Sequence, residues 1–138
     1  MSARLHDIVA ALDLELCTSD IPDYPGAVNG LQVGNNGTVH RVAVAVDGSH
    51  AAIKAAIVVG ADLLVLHHGL FWGGVQPLVG LAYEKYRALI TNNVAVYASH
   101  LPLDLHAVHG NNALLARALG LEASGGFARF KSVDIGVM

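Results

Sequence analysis

Cysteine, charged residues and long apolar runs are all scarce in this chain, and each scarcity excludes a class of protein. The single cysteine, Cys17, excludes an internal disulfide framework and predicts a chain that works in a reducing compartment. No apolar run reaches the roughly 20 residues that a membrane-spanning helix needs. The 8 Lys and Arg residues are dispersed and the net charge is −3, so nucleic acid is not an expected partner.

Apolar residues and histidines are what the chain has in excess. Of its 138 residues, 54% are hydrophobic and 14% are charged, which is typical of one globular domain that contacts other subunits or a covering segment. The N-terminal stretch "MSARLHDIVAALDLEL" carries acidic residues and no cleavage-site pattern, so a cytoplasmic protein is expected. The 8 histidines, by their positions, indicate more about function than any other residue type.

The spacing of apolar residues predicts alternating helices and strands. Predicted helices cover residues 4–16 with Ser2 as cap, "SHAAIKAAIVVG" with Ser49 as cap, "LAYEKYRALITNN", and "NNALLARALG" with Asn111 or Asn112 as cap. Predicted strands are "RVAVAV", covered on both faces, then "DLLVL" and "VAVYA", with another beginning in "KSVDIGVM". Residues 17–40 are predicted as loop, with Cys17 as a small buried residue. The order predicts an α/β fold: a single domain over residues 1–138, with a largely parallel or mixed sheet and helices on both faces.

Six of the histidines lie just beyond predicted strand ends, where parallel sheets bind ligands. His50 follows the first strand, His67 and His68 follow the second, and His100, His106 and His109 follow the third. We predict that His50, His106 and His109 are surface residues, as are His6 and His40. Asp47 has a simpler interpretation as a turn residue, and Phe71 and Trp72 as packing residues beside the site.

His67 and His68 are the strongest candidates for a metal site. Adjacent residues of a strand point to opposite faces, so the pair can act together only if the chain has already left the sheet. Each ring could then bind one of two metals about 3.5–4 Å apart. Asp104 can add carboxylate oxygens, although Pro102 favours an irregular loop around it. His100 could be a ligand, a partner of a ligand or a proton carrier. Imidazole and carboxylate suit zinc, iron, manganese, cobalt or nickel without selecting among them.

Three segments together carry a family resemblance. "VNGLQVG", "GADLLVLHHGLFW" and "YASHLPLDLHAVHGNNALLARALGL" resemble the Nif-three-like proteins, many of which bear the name GTP cyclohydrolase I type 2. The resemblance runs from the N-terminal helix to about Gly120. It implies a dinuclear metal centre in an α/β protein that assembles as a homo-oligomer, a ring-shaped hexamer built from dimers. It also implies that His67, His68 and Asp104 are metal ligands, that His100 lies close to the metals, and that Asn29 and Gln32 lie near the same cleft.

One departure from the family pattern concerns the C-terminal half. Family members are usually much longer, and their second half supplies a further histidine and a glutamate as ligands. This sequence stops at "DIGVM", so the expectation is a chain without that half. Three explanations stay open: a fragment, a naturally shortened member, or a half-site completed by a partner. A centre reduced in this way could hold one metal ion rather than two.

The favoured hypothesis is a metal-dependent hydrolase that uses a metal-activated water on a small-molecule substrate. By resemblance the substrate is GTP, whose guanine ring is opened at C8 with release of formate, and His100 is the candidate proton carrier. The sequence has no phosphate-binding loop and no cluster of Lys and Arg beside the histidines, so the nucleotide rests on the resemblance. The alternative is a non-catalytic metal-binding or protein-interaction module, and a third hypothesis is a structural domain without metal.

Overall fold

A four-stranded mixed sheet forms the centre of the molecule. The computed structural model describes residues 2–138. The strands follow the order β2 (Gly30–Val33), β6 (Ala95–Ala98), β5 (Leu63–His68) and β4 (Val42–Asp47). The strands β4, β5 and β6 are parallel, whereas β2 runs antiparallel to β6. The predicted α/β class with a mixed sheet is therefore confirmed.

Helices cover both faces of this sheet, which explains why its central strands are continuously apolar. On one face, Leu64, Leu66 and Val96 pack with residues of α2 (His50–Val58) and α3 (Gly80–Thr91). On the other face, Leu63, Ala95 and Tyr97 pack with residues of α1 (Leu5–Glu15). Alternate side chains of β5 and β6 thus enter two different apolar clusters, as in sheets buried on both sides.

The remaining elements lie around this central unit. The short strand β1 (Ala3–Arg4) pairs with β3 (Thr38–Val39), and α4 (Leu101–Leu105) and α5 (Asn111–Ala118) follow β6. The strands β7 (Gly126–Phe130) and β8 (Val133–Val137) form a hairpin. The final strand was predicted, and its partner β7 was not. Within the described residues 2–138, no helix combines the length and the apolar character that crossing a membrane requires.

Two predictions about strands were wrong. Residues 17–40 are not all loop, because β2 and β3 form there by pairing with distant segments. The strand β4 is not covered on both faces: it is the edge strand, and Val44 and Val46 are 78% and 60% exposed. The cluster that includes α1 residues contains side chains of β5 and β6, and it leaves that face of β4 open.

Helix ends follow the expected chemistry only in part. Ser49 caps α2 as predicted, because its Oγ accepts the Ala52 amide at 3.1 Å. Ser2 is not the cap of α1, which begins after Arg4 instead, and α5 begins after Gly110 rather than after Asn111 or Asn112.

Pro102 and Cys17 also differ from expectation. Pro102 lies in the first turn of α4, where a missing amide proton costs nothing, so the segment around Asp104 is a short helix and not an irregular loop. Cys17 is exposed with φ +50, because it forms the turn that ends the first helical segment.

We predict that Asp62 anchors the corner before β4. Its Oδ2 accepts the His40 and Arg41 amides at 2.7 and 3.0 Å, and the hydrogen bond from His40 is the main reason that the pKa of Asp62 is lowered. Asp62→Ala should lower the free energy of unfolding by about 1–2 kcal/mol in urea titrations at pH 7. Because the pKa of Asp62 is lower in the native state than its unfolded value of about 4, the ionised carboxylate stabilises the fold at pH values above that unfolded value. The difference in stability between Asp62→Ala and the wild type should therefore shrink as the pH falls through the native pKa.

Glu84→Ala is the matched control, since Glu84 is an exposed acidic residue on α3. Equal losses for the two variants, or a loss for Asp62→Ala that does not change with pH, would contradict the anchoring role.

Candidate metal centre

Three histidines meet at the carboxyl ends of the neighbouring parallel strands β5 and β6. His67 and His68 are the last residues of β5, and His100 follows β6 directly before α4. One ring nitrogen from each lies within 4.8 Å of the others. We call His67, His68 and His100 the histidine triad. The predicted convergence of strand-end histidines at one sheet edge therefore holds for these three.

The expectation that the chain must leave the sheet before His67 and His68 can act together was wrong. His68 still pairs in register with Asp47 of β4, yet the two imidazole centroids are 4.6 Å apart with planes at 38°. The two residues end the strand, so their side chains can lean over the same edge. The alternation of faces that applies inside a sheet no longer separates them.

In the β5 histidines, oxygen atoms contact the Nδ1 atoms. His67 Nδ1 lies 3.0 Å from the Ser99 carbonyl oxygen, and His68 Nδ1 lies 2.8 Å from Asp47 Oδ1. An oxygen acceptor at Nδ1 favours the tautomer with its proton there, which leaves the Nε2 lone pair free for a metal. Asp47 is thus not merely a turn residue: it is the last residue of β4 and orients His68.

His100 is oriented by Asp23, a residue that sequence reasoning missed. Its Nδ1 lies 2.9 Å from Asp23 Oδ1. The Asp23 side chain is only 6% exposed, and it also accepts the Leu101 amide and the Asn29 side-chain amide at 2.8 and 2.9 Å. Burial alone would raise the pKa of Asp23, but these hydrogen bonds outweigh it and hold the pKa below its usual value. Asp23 therefore stays ionised beside His100.

Asp104 adjoins the triad through His67. Its Oδ2 lies 3.6 Å from His67 Nε2, and its Oδ1 accepts the Asn111 side-chain amide at 2.7 Å. The carboxylate thus reaches the side of the His67 ring that faces away from Ser99. The structure brings the predicted site residues His67, His68, His100 and Asp104 into one group, with Asp104 at its margin.

Asn29 and Gln32 support the site rather than line it as ligands. Asn29 Oδ1 accepts the His100 amide at 2.8 Å, so Asn29 contacts both His100 and Asp23. Gln32 Oε1 accepts the Leu70 amide at 2.7 Å and fixes the chain after β5. A Cβ atom at position 69 would push the Gln32 amide group aside, so the absence of a side chain at Gly69 lets Gln32 make this contact.

The other histidines lie outside the triad. His6, His40, His50 and His109 are exposed, as predicted. His106 was wrongly predicted as a surface residue: its side chain is 16% exposed, and its Nδ1 accepts the His109 amide at 2.9 Å. The ring is held against the turn that follows α4, with Nε2 3.4 Å from Glu15 Oε1.

Trp72 is the aromatic residue that touches the triad. Its ring lies 4.8 Å from the His100 ring and 5.9 Å from the His68 ring. Phe71 turns away and stacks on Tyr86, where both line an apolar depression of about 660 Å³ that contains no triad residue. Trp72 lies beside the site as predicted, but it is 38% exposed and outside the apolar core, whereas Phe71 packs away from the site.

The donor set of this centre fits a divalent transition-metal ion. Three imidazoles with their Nδ1 atoms occupied and a carboxylate next to His67 are the ligand types that zinc, iron, manganese, cobalt and nickel accept. Three protein nitrogens would leave coordination positions open for water or substrate.

Known proteins resemble this chain over nearly its whole length. The family model described as DUF34/NIF3 (NGG1p interacting factor 3) matches residues 4–137. A Treponema pallidum protein named GTP cyclohydrolase 1 type 2 homolog is 49% identical over 112 residues, which are 80% of this chain and 39% of that protein. An Archaeoglobus fulgidus protein of the same name is 45% identical over 133 residues, 96% of this chain and 54% of that protein.

Solved structures also resemble this chain over most of its length. The crystal structure of TTHA1606 from Thermus thermophilus has a TM-score of 0.85 and 39% identity, over 91% of this chain and 51% of that one. Reduced HcgD from Methanocaldococcus jannaschii has a TM-score of 0.77 and 28% identity, over 88% of this chain and 49% of that one. The chain spans about half the length of the relatives that it matches. With a family model that covers residues 4–137, the chain belongs to the DUF34/NIF3 family.

Proposed function

We propose that this chain binds one or two divalent metal ions through the histidine triad and Asp104, and that it forms the metal-holding part of a GTP cyclohydrolase 1 type 2-like hydrolase. The observation that carries the proposal is the approach of three imidazole nitrogens to within 4.8 Å of one another. Each ring also contacts a separate oxygen at Nδ1, which favours an Nε2 lone pair that can bind a metal.

The residues around the triad prepare it for a cation. Asp47 and Asp23 add negative charge next to His68 and His100, and both favour the tautomer that carries its ring proton on Nδ1. When bound, the metal ion supplies Lewis acidity, which lowers the pKa of water toward neutrality. Asp104, 20% exposed beside His67, is placed to share in metal binding or to accept a proton from water.

The names of the relatives support a purine nucleotide as the substrate class. Several relatives are named GTP cyclohydrolase 1 type 2 homolog, and the chain is 40 to 49% identical to those of Treponema, Archaeoglobus and Pyrococcus abyssi. A hydrolytic ring opening needs an activated water and a group that moves a proton. The triad with Asp104 offers the residue types for both tasks.

A metal-binding module without turnover is the second candidate. The family description, NGG1p interacting factor 3, names an interaction rather than a reaction and favours this alternative. Metal bound at full stoichiometry, without hydrolysis of GTP by the metal-loaded protein, would select the module over the enzyme.

Self-association belongs to the same proposal. Val42, Val44 and Val46 project from the edge strand β4 and are 48%, 78% and 60% exposed. An exposed apolar sheet face of this kind is typical of a surface that packs against another chain. A homo-oligomer, up to the hexamer that the sequence resemblance implies, would cover this surface.

The first prediction for the site concerns metal content. His68→Ala and Asp104→Ala should each remove most of the bound metal, because each takes away a ligand from a site that needs at least three. Elemental analysis after purification without chelators measures the ratio of metal to chain. A ratio near two supports a dinuclear site, and a ratio near one supports a mononuclear site.

His109→Ala is the matched control, since His109 is exposed and lies outside the triad. Wild-type metal content in His68→Ala, or an equal loss in His109→Ala, would overturn the assignment.

The second prediction separates two roles of His100. If His100 is a ligand, His100→Ala loses metal together with any turnover of GTP. If it is the proton carrier that the sequence suggests, the variant keeps its metal and loses turnover by roughly 10²–10⁴-fold. The position of its ring nitrogen within the triad leads us to expect loss of metal. Full metal and full turnover in the variant would remove His100 from both roles.

The third prediction concerns Asp23. Asp23→Asn should weaken metal affinity by about 10–100-fold, because it removes the negative charge that holds the His100 ring in its orientation. Competition with a chromophoric chelator measures this affinity. Asp20→Asn is the control and should match the wild type, because Asp20 lies in the same segment and its exposed side chain accepts a hydrogen bond from Ser19 and contacts no histidine of the described chain. Unchanged affinity in Asp23→Asn would show that Asp23 is only a structural anchor.

A further inference from the structure

Three aromatic side chains form a continuous surface beside the histidine triad. We call Tyr24, Trp72 and Phe130 the aromatic rim. Trp72 contacts His100 with its ring at 89° to the imidazole plane. The Tyr24 ring lies 6.3 Å from His100, 6.4 Å from Trp72 and 4.7 Å from Phe130. The rim therefore extends from the triad to the β7–β8 hairpin.

The rim is not part of the apolar core. None of its members belongs to either buried cluster, and Tyr24 and Trp72 are 48% and 38% exposed. Large aromatic rings left facing solvent next to a polar site are typical of a surface on which a flat ligand stacks.

Lys131 places a positive charge at the far end of the rim. Its Nζ donates to the Asp23 carbonyl oxygen at 2.7 Å and lies 5.2 Å from the centre of the Phe130 ring. The carboxylate of the same Asp23 holds His100, so one residue sets the spacing between the ammonium group and the triad. Arg129, on the same hairpin, is instead paired with Asp134 at 3.3 Å.

We propose that the aromatic rim and Lys131 bind a substrate that has a planar aromatic ring and an anionic group, as a nucleotide does, and that they set this ring beside the triad. The proposal rests on the proposed function, since it assigns the substrate of the same site. Aromatic side chains stack on any base, which gives binding energy without hydrogen-bond readout. Lysine meets a phosphate as a point charge, and with one Nζ donor on the Asp23 carbonyl oxygen Lys131 keeps two donors for phosphate oxygens.

The single tryptophan of the chain makes the rim directly observable, because Trp72 is its only indole. Titrations followed by Trp72 fluorescence and by calorimetry compare GMP, guanosine and ribose 5-phosphate. These probes separate the ring from the phosphate and chelate metals less than a triphosphate does. GMP should bind best and guanosine next, and ribose 5-phosphate should bind weakest because it has no ring to stack.

Substitutions in the aromatic rim and at Lys131 should change the affinities for GMP and guanosine in different ways. Tyr24→Leu and Phe130→Leu should weaken both GMP and guanosine by roughly tenfold, the loss expected for one stacking partner. Lys131→Gln should weaken GMP several-fold and leave guanosine unchanged, with a weaker dependence of GMP binding on salt. Phe127→Leu and Lys54→Gln are the controls: Phe127 lies on the same hairpin but packs over Gly136, and Lys54 is exposed on α2.

Three results would overturn the proposal: ribose 5-phosphate binding as tightly as GMP, Phe127→Leu costing as much as Phe130→Leu, or no saturable signal from GMP or guanosine at millimolar concentration. Metal analysis of the same samples keeps this test apart from the proposed function. Ring-dependent binding by a protein that holds no metal would contradict the hydrolase proposal and still support ligand binding at the aromatic rim. Metal-loaded protein without ring-dependent binding would sink only the rim.

Discussion

The parallel pairing of β5 with β6 is the constraint on which the site depends. Leu66 pairs with Ala98, so the two strands reach the same edge of the sheet. His67, His68 and His100 meet there because each lies within two positions of this pair. Apart from the partly buried Val65, the paired residues are almost fully buried, in two clusters on opposite faces. A slip of one residue would turn every buried side chain to the wrong face, which makes this register costly to change. The energy that fixes the histidines therefore comes from apolar packing several residues away.

Asp23 links the loop before β2 to this edge. Its carboxylate accepts hydrogen bonds from the Tyr24 amide, the Asn29 side chain, the His100 ring and the Leu101 amide. An ionised carboxylate that is 6% exposed would cost several kcal/mol without such partners. Because its hydrogen-bond donors come from residues 24–29 and from residues 100–101, Asp23 holds these two segments together.

Local patterns in the sequence were enough to predict the strands β5 and β6, at whose ends the three histidines lie. The Ser49 cap, the apolar run that ends at His67 and His68, and the position of His100 after the next strand depend on neighbouring residues and were interpreted correctly. The same holds for the fold class, because alternating apolar strands and helices have few other arrangements.

The contacts that complete the site could not be predicted in this way. Asp23 and His100 are 77 positions apart, and Asp47 and His68 are 21 apart, so nothing local marks either aspartate as a partner of a histidine. Pro102 illustrates the converse: proline breaks helix interiors, but in the first turn of α4 its missing amide proton costs nothing. His67 and His68 likewise lie over the same sheet edge, because the alternation of side chains between faces applies only inside a sheet.

The three groups that contact the Nδ1 atoms of the triad differ in charge and in exposure, so the two sides of the site differ. Ser99 holds His67 through a neutral carbonyl, whereas carboxylates hold His68 and His100. Asp23 is buried and Asp47 is 66% exposed, so water and salt weaken the hold on His68 far more than the hold on His100. His68 is also the more exposed ring, at 40% against 14% for His100. The triad therefore has a firm inner side at His100 and an adjustable outer side at His68, where solvent and ligand can approach.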